Sequence, residues 1–575
     1  MAISDSDNSF TEESQTPLLE GTVAGAVDYK GNPVLRANSG GWRSASFMIG
    51  VEMAERFSYF GIACNLITYL TEQLGQSTAT AAENVNAWSG TAQLLPLLGA
   101  SIADSFLGRY RTVVIATLIY ILGLGLLTLS AVLPSLTDYV DTNKSMSCCS
   151  KLTVILFFFS LYLVAVAQGG HKPCIQAFGA DQFDGEDPDE RNAKSSFFNW
   201  WFLGVCGSSA VAVLALSYIQ DNLSWGLGFG IPCILMIIAL VIFLLGTRTY
   251  RYCIKRDETS PFVRIGGVFV AAIRNCHTTR SAIAIEEEAC GASHHSSEQF
   301  KFLNKALLSL DRRKEEGKVC TISEVEEAKA VLRLFPIWAT SLVFAIVYAQ
   351  HSTFFTEQGA TLDRTLFPGF KIPAASLQFF ISLAIVLFIP IYDLIFVPIA
   401  RAFTAKPSGI TMLQRIGIGM LLSATCMVVA ALVEIKRLNT AKEFGLVDKP
   451  NVTIPMSVWW LVPQYVLSGI ADVFTLVGLQ EFFYDQVPIE LRSVGIALYQ
   501  SILGLGSLLS SLLVSVIEEA TGGHGRYGWF SDNLNRAHLD YFYWLLAGLS
   551  VVAFAAYLYF AKSYIYNRTV NIVSL

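Results

Sequence analysis

The chain has 575 residues, 53% of them hydrophobic and 15% charged, with a mean hydropathy of +0.48, a balance no ordinary soluble domain of this size approaches. The formal net charge of −6 is small for this length, so nucleic acid and acidic polymers are not expected partners. The eleven cysteines show neither a disulfide framework nor metal-ligand spacing, and no HExxH, GxSxG or phosphate-binding loop supports an enzyme.

Residues 1–43 are acidic, rich in Ser and Thr and without the apolar core of a cleavable signal, and read as a disordered tail. Within them Glu12-Glu13-Ser14-Gln15-Thr16-Pro17-Leu18-Leu19 is similar to an acidic dileucine sorting signal whose spacing is off by one residue. Apolar runs long enough to cross about 30 Å of hydrocarbon then follow at 44–72, 84–106, 112–133, 152–176, 196–219, 225–246, 329–350, 371–398, 410–434, 456–480, 492–517 and 539–561, twelve in all. The fold expected is therefore an all-α membrane protein with twelve transmembrane helices. A six-helix bundle at 44–246 and another at 329–561 are joined by a polar linker at 247–328, and 562–575 form a C-terminal tail.

The first run carries Glu52, Glu55 and Arg56 at i, i+3 and i+4, which places all three on one helical face. An ionised group at mid-bilayer costs about 2.5 to 3.5 kcal/mol, so three on one segment imply partners or a water-filled cavity rather than lipid. A helix-end pair reaching to the interface is the plainer alternative. The second run closes with Asp104, Ser105, Gly108, Arg109 and Arg111, and the eighth with Asp393 followed by Arg401. Such ends suit a latch, with Asp104, Arg109 and Asp393 as gating candidates, that is made and broken as two bundles rock. Ser105 in that turn is a candidate phosphorylation switch. Lys172, preceded by His171, sits in the inner part of the fourth run, where an ammonium needs a carboxylate or must reach the interface. Asp472 interrupts the tenth run after Ser468-Gly469-Ile470-Ala471, either to pair across a cavity or to bond a neighbouring hydroxyl.

Basic residues cluster after even-numbered runs, at Arg109 and Arg111, Arg191 and Lys194, Arg248 to Arg256, Arg401 to Arg415, and Arg492. The positive-inside rule assigns those loops, the linker and both termini to the cytosol. Glycosylation sequons at Asn143, Asn222 and Asn451 fall on the opposite side, against one at Asn567 on the cytosolic side.

Glu52-x-x-Glu55-Arg56, the Asp104 to Arg111 turn and Phe178-Gly179-Ala180-Asp181-Gln182-Phe183 together resemble the proton-coupled oligopeptide transporter family. The resemblance is strongest to its plant branch, the NRT1/PTR nitrate and peptide transporters of the major facilitator superfamily. It covers essentially the whole chain, and Phe300-Lys301-Phe302-Leu303-Asn304-Lys305-Ala306 is similar to the plant linker motif. The fifth-helix signature departs from the family pattern, with Cys206 and Ser208 where an Asn and a Gly are usual.

The resemblance implies a proton-coupled symporter in which Lys172 works with Glu52, Glu55 and Arg56. It implies no cofactor beyond the proton as coupling ion and no metal. Substrate contacts are expected from Arg56, Tyr59, Lys172, Tyr348, Gln350 and Asp472, with Trp200 and Trp201 as further aromatic lining. Some nitrate-transporting relatives carry a histidine at the place of Tyr348, which keeps one hydrogen-bond donor for an oxyanion, and His351 reads as a rim residue. Asp472 stands where the family more often has Glu.

The function expected is nitrate symport into the cytosol by alternating access, across the plasma membrane or the vacuolar membrane (tonoplast). A di- or tripeptide, or another organic anion such as a hormone or glucosinolate, is the alternative cargo, and a transceptor that senses without net transport is a third reading. The partners are the small-molecule substrate, protons and the lipid bilayer.

Overall fold

A computed structural model describes residues 22–103, 107–140, 146–184, 187–253, 261–275, 300–307, 321–396, 398–399, 402, 410–487, 492–522 and 528–564. Its body is twelve helices: α1 (Gly41–Ala63), α2 (Thr78–Ile102), α3 (Arg109–Val140), α4 (Met146–Ala180), α5 (Pro188–Asn222), α6 (Trp225–Leu245), α7 (Ile322–Tyr348), α8 (Phe379–Ile391), α9 (Met412–Glu443), α10 (Val462–Asp485), α11 (Arg492–Thr521) and α12 (Leu539–Ser563). Ten of the helical segments among the described residues are long and apolar enough to cross a membrane. The remaining two are α1, interrupted by Glu52, Glu55 and Arg56, and α2, rich in small polar residues.

Packing divides the helices into two bundles of the same design. In the first, α1 packs on α5 and α6, α2 on α4, and α3 on α4 and α6. In the second, each contact recurs six helices later: α7 on α11 and α12, α8 on α10, α9 on α10 and α12. Between bundles the main contact is α2 against α11, and its counterpart is α8 against α5. The α2–α11 crossing is close because both helices present glycine there. A Cβ on Gly90 would lie 2.7 Å from the Gly504 carbonyl oxygen, and one on Gly504 2.7 Å from Leu94 Cγ.

Local sequence explains several departures from the expected boundaries. The first run is not one helix but stops at Ala63, and a short helical turn and a π-helical turn, Tyr69–Gln73, follow. Asn65 marks the break, its amide donating to Gln220 Oε1 at 3.2 Å and Asp221 Oδ1 at 2.8 Å on α5. Helix α7 begins in polar sequence, before its apolar run, because Thr321 and Glu324 form a reciprocal capping box. The loop after α7 is built of a short helix, Phe354–Ala360, a two-strand ribbon over 365–371 and a 3-10 turn, Ala374–Gln378.

Residues 22–38, expected as disordered tail, are ordered instead. Strand β1 (Thr22–Val27) pairs with β2 (Pro33–Leu35) and with β3 (Tyr252–Cys253), the start of the linker, in the order β2-β1-β3. Carboxylates of the α4–α5 turn fasten this small sheet. Arg36 reaches Asp184 and Asp187 at 2.6 Å each, and Arg251, only 1% exposed, donates to both oxygens of Glu190 at 2.6 and 3.0 Å. Further along the linker a helix, Pro261–Arg274, packs on α7, with Arg264 3.4 Å from Glu327.

Polar contacts join the two bundles toward the end opposite the linker. Gln378 donates to the Cys64 carbonyl at 2.9 Å, Thr71 to Glu357 Oε1 at 3.3 Å, and Asn86 to Ser510 Oγ at 3.1 Å. The backbone N–H of Thr78 donates to Asp532, Ser511 donates to the Glu83 carbonyl, Arg364 lies 3.8 Å from Asp221, and Tyr218 stacks on Phe370. Together these contacts seal the bundles against each other at that end.

Candidate functional site

The charged turn of α1 is buried inside the first bundle, with Glu52 3%, Glu55 0% and Arg56 8% exposed. Arg56 Nε donates to Glu52 Oε1 at 2.8 Å and lies 3.4 Å from Glu55 Oε2. Glu55 Oε1 accepts from Gln168 Nε2 of α4 at 3.2 Å and from the Tyr120 hydroxyl of α3 at 3.4 Å. One guanidinium thus serves two carboxylates away from water, where removing a partner leaves an uncompensated charge.

Lys172 of α4 is half-buried beside this group and feels the charges of Arg56, Glu55 and Glu52, yet it has no ion-pair partner among the described residues. The four charges sum to zero when all are ionised. Tyr59, one turn beyond Glu55, stacks on Trp88 with centroids 5.5 Å apart and hydrogen-bonds Ser89. It stands within electrostatic reach of Glu55 and Arg56 on one side and of Tyr348 on the other. Tyr348 in turn senses Asp472 and Tyr499. Asp472 is 4% exposed and has no hydrogen-bond or ion-pair partner among the described residues. A polar path therefore runs from the α1 charges through two tyrosines to a lone carboxylate in the second bundle.

Other candidates sit elsewhere. Gln350 is fully buried and donates to the Ile346 carbonyl and to Ser510 Oγ, at 2.7 and 3.0 Å, so it belongs to the seal through the Asn86–Ser510 bond. His351 is buried, 7% exposed, with its ring against Tyr348 rather than at a rim. Trp201 packs on Phe197, and Trp200 is exposed. Arg109 pairs with Asp181 at 2.5 Å, within the first bundle. Asp104 and Ser105, the Asp393 side chain and the dileucine-like segment lie outside the described residues. Sequence reasoning missed Gln168, Tyr120 and Tyr499. Gln168 was within reach of it, standing four residues before Lys172 on the same face of α4.

A membrane carrier is the class this architecture defines: two like bundles, sealed together at one end, around a buried charge centre. Residues 110–530 match the POT family, PTR2. The Arabidopsis thaliana protein NRT1/PTR family 5.10 is 62% identical over 558 residues, covering 97% of this chain and 98% of its own length. The chain belongs to the POT family, and its fold and family are those of transporters rather than enzymes. An auto-inhibited POT family peptide transporter has the same fold, with a TM-score of 0.69 at 23% identity over 92% of this chain and 98% of that one. A POT family transporter in complex with a thioalcohol-conjugated peptide gives a TM-score of 0.61 at 17% identity, over 93% of this chain and 97% of that one.

Proposed function

We propose that the chain is a proton-coupled symporter that carries nitrate into the cytosol, with the linker end facing the cytosol. The observation that carries this reading is the pair of buried carboxylates sharing Arg56 beside an unpaired Lys172. With every group ionised the cluster is neutral. One proton on either carboxylate leaves it with one positive charge, which an anion then balances, so proton and anion occupancy favour each other. A half-loaded cluster keeps an unbalanced buried charge and resists the rocking that moves cargo across. Both the plasma membrane and the tonoplast suit such a carrier.

A second reading, di- or tripeptide symport, is favoured by Asp472. An unpartnered carboxylate repels a bare oxyanion but attracts the amine of a zwitterion whose carboxylate meets Lys172 or Arg56. Uptake of labelled nitrate and of a labelled dipeptide into oocytes across a pH gradient decides between them. Acid outside is expected to stimulate uptake of one, and Glu55→Gln to flatten that stimulation. Asp472→Asn is expected to spare nitrate uptake and to abolish dipeptide uptake. Uptake of neither cargo, or full proton dependence in Glu55→Gln, overturns the proposal.

A further inference from the structure

His171 has no exposed surface, and neither of its ring nitrogens has a hydrogen-bond partner among the described residues. A buried imidazole that only packs ordinarily bonds at least one nitrogen, because a buried polar atom left unpaired has lost its water without replacement. Its surroundings suggest what satisfies it. Helices α1 and α4 run antiparallel, and Gln168 of α4 is hydrogen-bonded to Glu55 of α1. Three residues on along α4 is His171, and three residues back along α1 is Glu52, so the two lie on facing turns one step nearer the linker end. Glu52 Oε2 is also unpartnered, and the Glu52 and Arg56 charges act on the ring. The charges acting on His171 are those of Glu52 and Arg56 of α1, and Lys172 is its neighbour along α4.

We propose that Glu52 and His171 form a joint proton-holding pair that passes the coupling proton toward the linker end. In this step the O–H bond of protonated Glu52 breaks and an N–H bond forms on the imidazole, leaving a carboxylate facing an imidazolium. The imidazolium then releases its proton to water on the linker side and returns to neutral. The charge of the cluster is unchanged by the first transfer, so no uncompensated ion is created inside the bundle. The pair gives all three unpartnered atoms a role in the transport cycle. It rests on the proton-coupled reading above and adds to it the group that takes the proton from α1.

The chain has seven histidines, few enough for selective labelling of their ring carbons in the full-length protein in detergent. The resonance lost in His171→Gln, or in His171→Asn should the first variant fail to reach the membrane, identifies His171. That resonance is expected to shift between about pH 8 and pH 4, with a midpoint that moves in Glu52→Gln. If the pair carries the coupling proton, the ratio of acid to neutral uptake of nitrate or dipeptide in His171→Gln should fall toward one. A resonance that does not move with pH, a midpoint unaffected by Glu52→Gln, or an unchanged uptake ratio overturns the pair. Wild-type protein with no pH-dependent uptake at all overturns the symport reading instead.

Discussion

At the scale of single residues, Arg56 is the group the charge centre depends on most. Its guanidinium touches Glu52 and lies close to Glu55, so Arg56→Ala leaves both carboxylates buried without their ion-pair partner. Breaking a buried pair in this way costs about 3 to 5 kcal/mol. Thermal unfolding in detergent should show Arg56→Ala strongly destabilised and Arg56→Lys less so, because lysine restores the charge but not the planar geometry that reaches both acids. Equal stability of Arg56→Ala and the wild type would contradict the buried pairing. Glu52, Glu55 and Arg56 were legible in the sequence because charge in an apolar run is rare and their spacing is helical. Asp472 was legible for the first reason alone. Its isolation was not, since whether a carboxylate meets a base depends on contacts between helices far apart in the chain. Gln350 shows the same limit. A buried amide near Tyr348 suits a substrate pocket, yet its hydrogen bond to Ser510 places it in the seal.

At the scale of elements, the twelve runs are visible in the sequence because spanning helices need long apolar stretches. Their ends are not, because caps and side-chain bonds set them, as Thr321 and Glu324 do for α7 and Asn65 does for the break after α1. The β1–β2–β3 sheet was hidden for a related reason: its strands are short and its partner strand begins more than 200 residues later. Its fastening has a defined pH dependence. Burial alone would raise the Glu190 carboxyl, but hydrogen bonds from Arg251 and the Asp184 N–H, with the charges of Arg251 and Arg36, hold it below the ordinary 4.5. A carboxylate lowered in the folded state stabilises it above its unfolded value and loses that contribution as pH falls through the folded value. Hydrogen exchange in β1 and β3, corrected for intrinsic rates, should therefore quicken as pH falls below the ordinary carboxylate range. Glu190→Gln should exchange faster already at neutral pH, and a protected sheet in that variant would show that other contacts hold it.

For the molecule as a whole, the repeat of each bundle contact six helices later makes the α2–α11 and α5–α8 interfaces the natural surfaces for rocking. The two-bundle plan was readable from the run count and the long polar interval. The state of the carrier was not, because sealing depends on loop contacts such as those of Gln378, Glu357 and Arg364, which no hydropathy pattern encodes.

The seal also gives the protein a native chemical clock. Cys64, 2% exposed, lies directly beneath it, with its carbonyl held by Gln378. A membrane-impermeant maleimide added from the side opposite the linker should react with Cys64 only while the bundles are parted there. Its labelling rate would then count the visits to the opposite-facing state, and Gln378→Ala should raise that rate. Equal rates in wild type and variant would mean that the Gln378 bond does not hold the bundles together.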